Sequence, residues 1–106
     1  MALSRKVLAH IRTWEPQDLT SSGWDFWLYA DGHIAAEYTS RWQGSTTGER
    51  YVTAPRCVDV DAIDPSDPDS DAEALLTAET SLADPRGDYG VPASGWRQTR
   101  VGHTIR

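Results

Sequence analysis

A chain of 106 residues with 39% hydrophobic content suffices for one compact domain with a single core, and is too apolar to be disordered throughout. No stretch approaches the ~20 consecutive apolar residues that a membrane-spanning helix needs. The formal net charge of −6 argues against an ordinary duplex-binding face, whose affinity comes from neutralising phosphates. Residues 1–56 hold six basic and six acidic side chains and residues 57–106 four and ten, so the acidity belongs to the second half.

Arg5 and Lys6 near the start are followed by neither a long apolar run nor a small-residue cleavage site, so a cytoplasmic protein is expected. Cys57 stands alone. It can make no internal disulfide, and no second Cys or nearby His gives zinc spacing, so no metal and no cofactor are expected.

In "KVLAHIRTW", Val7, Ala9, Ile11 and Thr13 alternate with Leu8, His10, Arg12 and Trp14, as in a strand. Helical spacing of Leu3, Val7, Ile11 and Trp14 behind a Ser4 cap fits as well. The strand is preferred because the β-rich segment that follows needs a partner, an isolated hairpin being marginal in water. "EPQDLTSSG" then reads as a turn-rich connection.

"GWDFWLYADGHIAAEYTSRW" carries the strongest signal, a hairpin turning at Asp31-Gly32. A two-residue loop would set Phe26 against Glu37 and mix charge with aromatics on one face. A three-residue loop, Ala30-Asp31-Gly32, puts Gly32 at the left-handed position and pairs Leu28 with Ile34, Phe26 with Ala36 and Trp24 with Tyr38. Because side chains alternate, that register yields one apolar face of Trp24, Phe26, Leu28, Ile34, Ala36 and Tyr38. The opposite face carries Asp25, Trp27, Tyr29, His33, Ala35 and Glu37.

A polar turn at 44–48 and a third strand over 49–54 complete a four-stranded antiparallel meander spanning residues 4–56. Residues 57–70 form an acidic connection, with six aspartates between Asp59 and Asp71 together with Pro65 and Pro68, and its middle is expected to be flexible. Asp67, Asp69 and Asp71 match the first ligands of a calcium loop, but Ala72 replaces its glycine and Ala78 its bidentate glutamate. A helix over 71–83 follows, with Ser70 and Glu73 at capping-box spacing and Leu75, Ala78 and Leu82 along one stripe beside Leu76 and Ala83. The Gly-rich segment 84–106 adds a possible edge strand over 96–101, and spaces Arg97, Arg100, His103 and Arg106 by threes.

These elements predict an α+β fold: a small antiparallel four- to five-stranded β-meander with one α-helix packed on its apolar face. The candidate site is the other sheet face, with Asp25, Trp27, Tyr29, His33 and Glu37, joined by Trp42 or Tyr51. Trp and Tyr in that position suit contact with a protein partner or a second copy of the chain. Two other functions compete with this interaction module. The aspartate run suits an acidic mimic of nucleic acid, and the opposed Asp25 and Glu37 suit a small hydrolase in which mutual repulsion raises one carboxyl pKa. No phosphate loop, zinc helix or nucleophile elbow is present in the sequence.

Overall fold

The computed structural model describes residues 6–42, 45–81, 84–88 and 90–104. Five strands, β1 (Val7–Arg12), β2 (Ser22–Tyr29), β3 (Ile34–Trp42), β4 (Ser45–Thr53) and β5 (Trp96–Thr104), pair antiparallel in sequence order. Among the described residues one α-helix, α1 (Pro68–Thr80), is present, and it packs against β1 and β2. The chain is thus an α+β fold with five strands, and no helix among the described residues is long and apolar enough to cross a membrane.

The β2–β3 turn is three residues long, closed by Tyr29 N–H donating to the His33 carbonyl at 3.0 Å, with Gly32 at φ +87. Leu28 pairs with Ile34, Phe26 with Ala36 and Trp24 with Tyr38, as alternation required. Phe26, Leu28, Ile34 and Ala36 are buried, together with Tyr51, Val58, Ala72 and Leu76. One row of this core, Ile11–Phe26–Ala36–Tyr51–Gln98, runs in register across all five strands. An irregularity between Val7 and Ala9 lets Leu8 pack on the core along with Ala9 and Ile11, although strict alternation puts Leu8 on the other face.

The helix begins three residues earlier than expected. Pro68 occupies its first turn, where a missing N–H costs nothing, and Asp67 is the N-cap residue in place of Ser70. Its buried stripe is Ala72 and Leu76, with Leu75 partly buried; Ala78 is exposed, and Leu82 and Ala83 lie outside the described residues. Burying Leu76 completely is worth about 1.5–3 kcal/mol toward docking the helix.

The aspartates of the acidic connection accept hydrogen bonds from its own backbone. Asp59 caps a single 3-10 turn at Val60–Ala62, Asp64 accepts from Ser66 N–H at 2.9 Å, and Asp71 reaches back to accept from Asp64 N–H at 2.8 Å. Beyond the helix, Pro85 is fully buried and Arg86 lies over the rings of Tyr38 and Trp24, extending the cover of the apolar face. β4 and β5 are both longer than their predicted spans, Ser45–Thr53 and Trp96–Thr104.

Gly32 also lets the 54–58 turn approach. Val58 N–H donates to the Gly32 carbonyl at 2.9 Å, and a Cβ at position 32 would stand 2.6 Å from the Val58 carbonyl oxygen. Left-handed strain and this clash together predict that Gly32→Ala costs about 2–4 kcal/mol. Urea denaturation checks this as a lower midpoint at unchanged slope.

Candidate functional site

The face of the sheet turned away from α1 is ordered in rows, because the strand registers carry side chains straight across it. His10, Trp27, Ala35, Val52 and Arg97 form one row over all five strands. Arg12, Asp25, Glu37 and Arg50 form the next. Gly23, Thr39 and Gly48 form a third.

Asp25 is the centre of this face and is 3% exposed. Its carboxylate accepts from His10 Nε2 at 2.7 Å and from Arg12 Nε and Trp14 Nε1 at 2.8 Å each. Burial by itself would push this carboxyl up, but hydrogen bonds from Trp14, Arg12 and His10 more than offset it and hold the group below the ordinary carboxylate value of 3.8. Asp25 does stand opposite Glu37, as the register predicted. The expected rise from mutual repulsion does not occur at Asp25, because its charge is spent on β1 while Glu37 accepts from Arg50 Nε at 2.7 Å on β4.

The aromatic groups stack in pairs. His10 lies 5.1 Å from Trp27 with the rings 3° from parallel, and Tyr29 lies 4.5 Å from His33 at 2°. His33 Nδ1 is hydrogen-bonded to Asp31 within the turn. Arg12 and Arg41 both hold their guanidinium groups over the Trp14 ring, 4.7 and 5.6 Å from its centre.

Five of the six expected site residues therefore share one face: Asp25, Trp27, Tyr29, His33 and Glu37. Trp42 does not join them. Strand alternation sets it on the side of Ile34, Ala36 and Tyr38, at the far end of β3, where it is 66% exposed. Tyr51 is a core residue, and its hydroxyl donates to Glu49 at 2.8 Å. Burial, then the Glu49 hydrogen bond and charge, push its pKa up to about 12.

Two shallow depressions meet at Trp27 and Glu37. One, of about 310 Å³, is floored by Ala35 and bounded by Tyr29, Arg50, Val52 and Thr99. The other, of about 330 Å³, lies over Asp25 and Thr39 between Trp14 and Trp27, with Arg12, Arg41 and Thr46 at its rim. They open because the side chains opposite Trp27 and beside Thr39 are short, Ala35 in the first case and Gly23 and Gly48 in the second. Among the described residues, no three His, Cys, Asp or Glu side chains converge to hold a metal ion. Asp69 and Asp71 sit in the first turn of α1, so they cannot wrap a cation as the calcium-loop spacing suggested.

His10, Arg12, Trp14, Thr39 and Arg41 are the site residues that sequence reasoning missed. Strand alternation did put His10, Arg12 and Trp14 on a common face, but the connection from 13 to 21 left the register of β1 open. In comparisons with protein-family models, with curated proteins and with solved structures, nothing matches this chain.

Asn at position 25 leaves Arg12, His10 and Trp14 aimed at a neutral amide, and Asp25→Asn is expected to cost about 2 kcal/mol near neutral pH. Since the folded pKa is depressed, the contribution of Asp25 is complete above its ordinary value of 3.8 and is lost as pH falls through the lower folded value. Urea denaturation of both proteins between pH 7 and pH 2 checks this. The gap between them narrows below about pH 4.

Proposed function

We propose that the protein is a non-catalytic interaction module that engages another protein, or a second copy of itself, through the sheet face holding Trp27, Tyr29 and Asp25. The observation that carries this reading is the state of that face. The helix packs on the opposite side, yet the outer aromatics are fixed by stacking and by a saturated buried carboxylate, so little side-chain entropy remains to be lost on contact. Half-buried Trp and Tyr beside shallow depressions are the side chains that dominate binding energy in protein interfaces. A cytoplasmic setting belongs to the proposal, supported by the single cysteine.

A hydrolytic role draws less support. An acid or base must exchange a proton near neutral pH, whereas Asp25 is ionised, depressed and fully donated to. A phosphate-mimicking role needs carboxylates turned outward in a rigid array. Asp59, Asp64 and Asp71 instead fold back on neighbouring amide groups.

A photoreactive phenylalanine analogue in place of Val52, on the outer face, is expected to form a cross-linked adduct in the producing cells. The same residue in place of Ala74, on the exposed side of α1, is not. An adduct of twice the chain mass identifies self-association. Identical patterns at the two positions, or none at either, count against the module.

A further inference from the structure

The depression between Trp14 and Trp27 contains a polar atom that the fold does not use. Thr39 is 2% exposed, and its hydroxyl makes no hydrogen bond among the described residues. Buried hydroxyls are ordinarily paired, because leaving one unpaired is costly. Its neighbours on the two adjoining strands are Gly23 and Gly48, so neither strand offers a side chain to it.

The cations around it are also incompletely used. Among the described residues Arg41 makes no direct ion pair, although its charge helps to hold the Asp18 carboxyl down; its guanidinium is held by the Pro16 carbonyl and the Trp14 ring. Arg12 gives its Nε–H to Asp25, which leaves its terminal NH₂ groups available. Asp25 is already saturated by three donors. Besides the Glu37 carboxylate at its border, this site presents an incoming group with donors from Arg41, Arg12 and Thr39, and donors of this kind complement an oxyanion.

Charge sets the size of that anion. Arg12, Arg41 and Arg50 are matched in number by Asp25, Glu37 and Asp18, whose carboxylate is stabilised by Arg41, so this part of the face carries no net positive charge, and Glu37 borders the depression itself. A singly charged carboxylate, taken by the spare donors of Arg41 and Arg12, is the anion such a site opposes least. A phosphate carrying about −1.5 to −2 would be repelled by Glu37. The indole walls of Trp14 and Trp27 suit the methylene stem of a longer acidic side chain.

We propose that this depression is a receptor for one carboxylate, that of a glutamate side chain presented by the partner polypeptide; the inference rests on the interaction-module reading. Arg41 and the terminal groups of Arg12 hold one side of the carboxylate, and the Thr39 hydroxyl donates to the other.

The test titrates the isotope-labelled protein with the dipeptide Ac-Leu-Glu-NH₂, its neutral analogue Ac-Leu-Gln-NH₂ and inorganic phosphate at constant ionic strength, following the Trp14 indole N–H and the Thr39 amide by NMR. The glutamate dipeptide is expected to give saturable shifts, and the glutamine analogue to bind roughly tenfold more weakly, about one charge-assisted hydrogen bond. Arg41→Gln abolishes saturation. Thr39→Val weakens the glutamate dipeptide about tenfold while its melting temperature stays equal or rises, since the variant removes an unpaired buried hydroxyl. Equal binding of the two dipeptides, tighter binding of phosphate, or unchanged affinity in Thr39→Val overturns the receptor. A fall in the melting temperature of Thr39→Val overturns it too, by showing that the hydroxyl has a partner within the fold. Cross-linking at Val52 without dipeptide binding removes the receptor and leaves the module standing; loss of both removes both.

Discussion

The turn at Ala30, Asp31 and Gly32 fixes how β2 lies against β3, and in a sheet with side chains alternating between faces that register assigns every residue its surroundings. A slip of one residue would send Phe26 and Leu28 outward and bring Asp25 and Trp27 against Leu76. The structure resists such a slip at the turn itself. Gly32 takes a backbone angle that side chains disfavour, and its carbonyl and that of Asp31 receive the N–H groups of Val58 and Arg56 from the segment after β4. The hairpin register is thereby tied to the segment that leaves β4, as well as to its own turn.

With faces assigned, the two sides solve different problems. The inner side buries Phe26, Leu28, Ile34 and Tyr51 under Ala72 and Leu76, and is held by removing apolar surface from water. The outer side buries a charge. Asp25 at 3% exposure would be costly alone, and it is tolerated because three donors from β1 and the residue after Thr13 converge on its two oxygens. Those donors do more than neutralise it. His10 is carried into a stack with Trp27 and Arg12 over Trp14, so the same carboxylate that locks β1 to β2 also sets the aromatic groups of the outer face. Stability and the candidate surface therefore share one anchor.

The hairpin was readable from residues 22–42 because composition, turn chemistry and the uniformity of one face all pointed to a single register. Most of the candidate site followed from that alternation: Asp25, Trp27, Tyr29, His33 and Glu37 lie where it put them. What escaped was what depends on contacts between distant strands. The 13–21 connection allows several registers for β1, so Arg12 opposite Asp25 was not readable, and with it went the sign of the Asp25 pKa shift. Trp42 and Tyr51 were assigned by residue type, though parity along β3 and β4 carries both to the apolar side. The helix start moved because Pro68 serves in a first turn, where a proline loses nothing, and Asp67 rather than Ser70 precedes it.

Charge is also distributed by face, and this bears on how an acidic partner would arrive. Arg12, Arg41, Arg50 and Arg97 belong to the outer side of the sheet, while Asp67, Asp69, Asp71 and Glu73 accompany the helix that covers the inner side. A chain with net charge −6 repels an acidic polypeptide on average, yet the outer side carries four arginines, and the Asp25 and Glu37 carboxylates among them are already hydrogen-bonded to Arg12 and Arg50. The attraction these arginines exert on an acidic group is local. Its reach is limited to roughly the 8–10 Å screening length at physiological salt, about the depth of one side-chain layer above the strands. Within that distance the attraction of Arg41 for the proposed glutamate would be felt, while charges farther away than the screening length would be largely screened. For this protein the local arrangement of arginines would then govern the approach of a partner, and the overall acidity would mainly exclude approach from the other side.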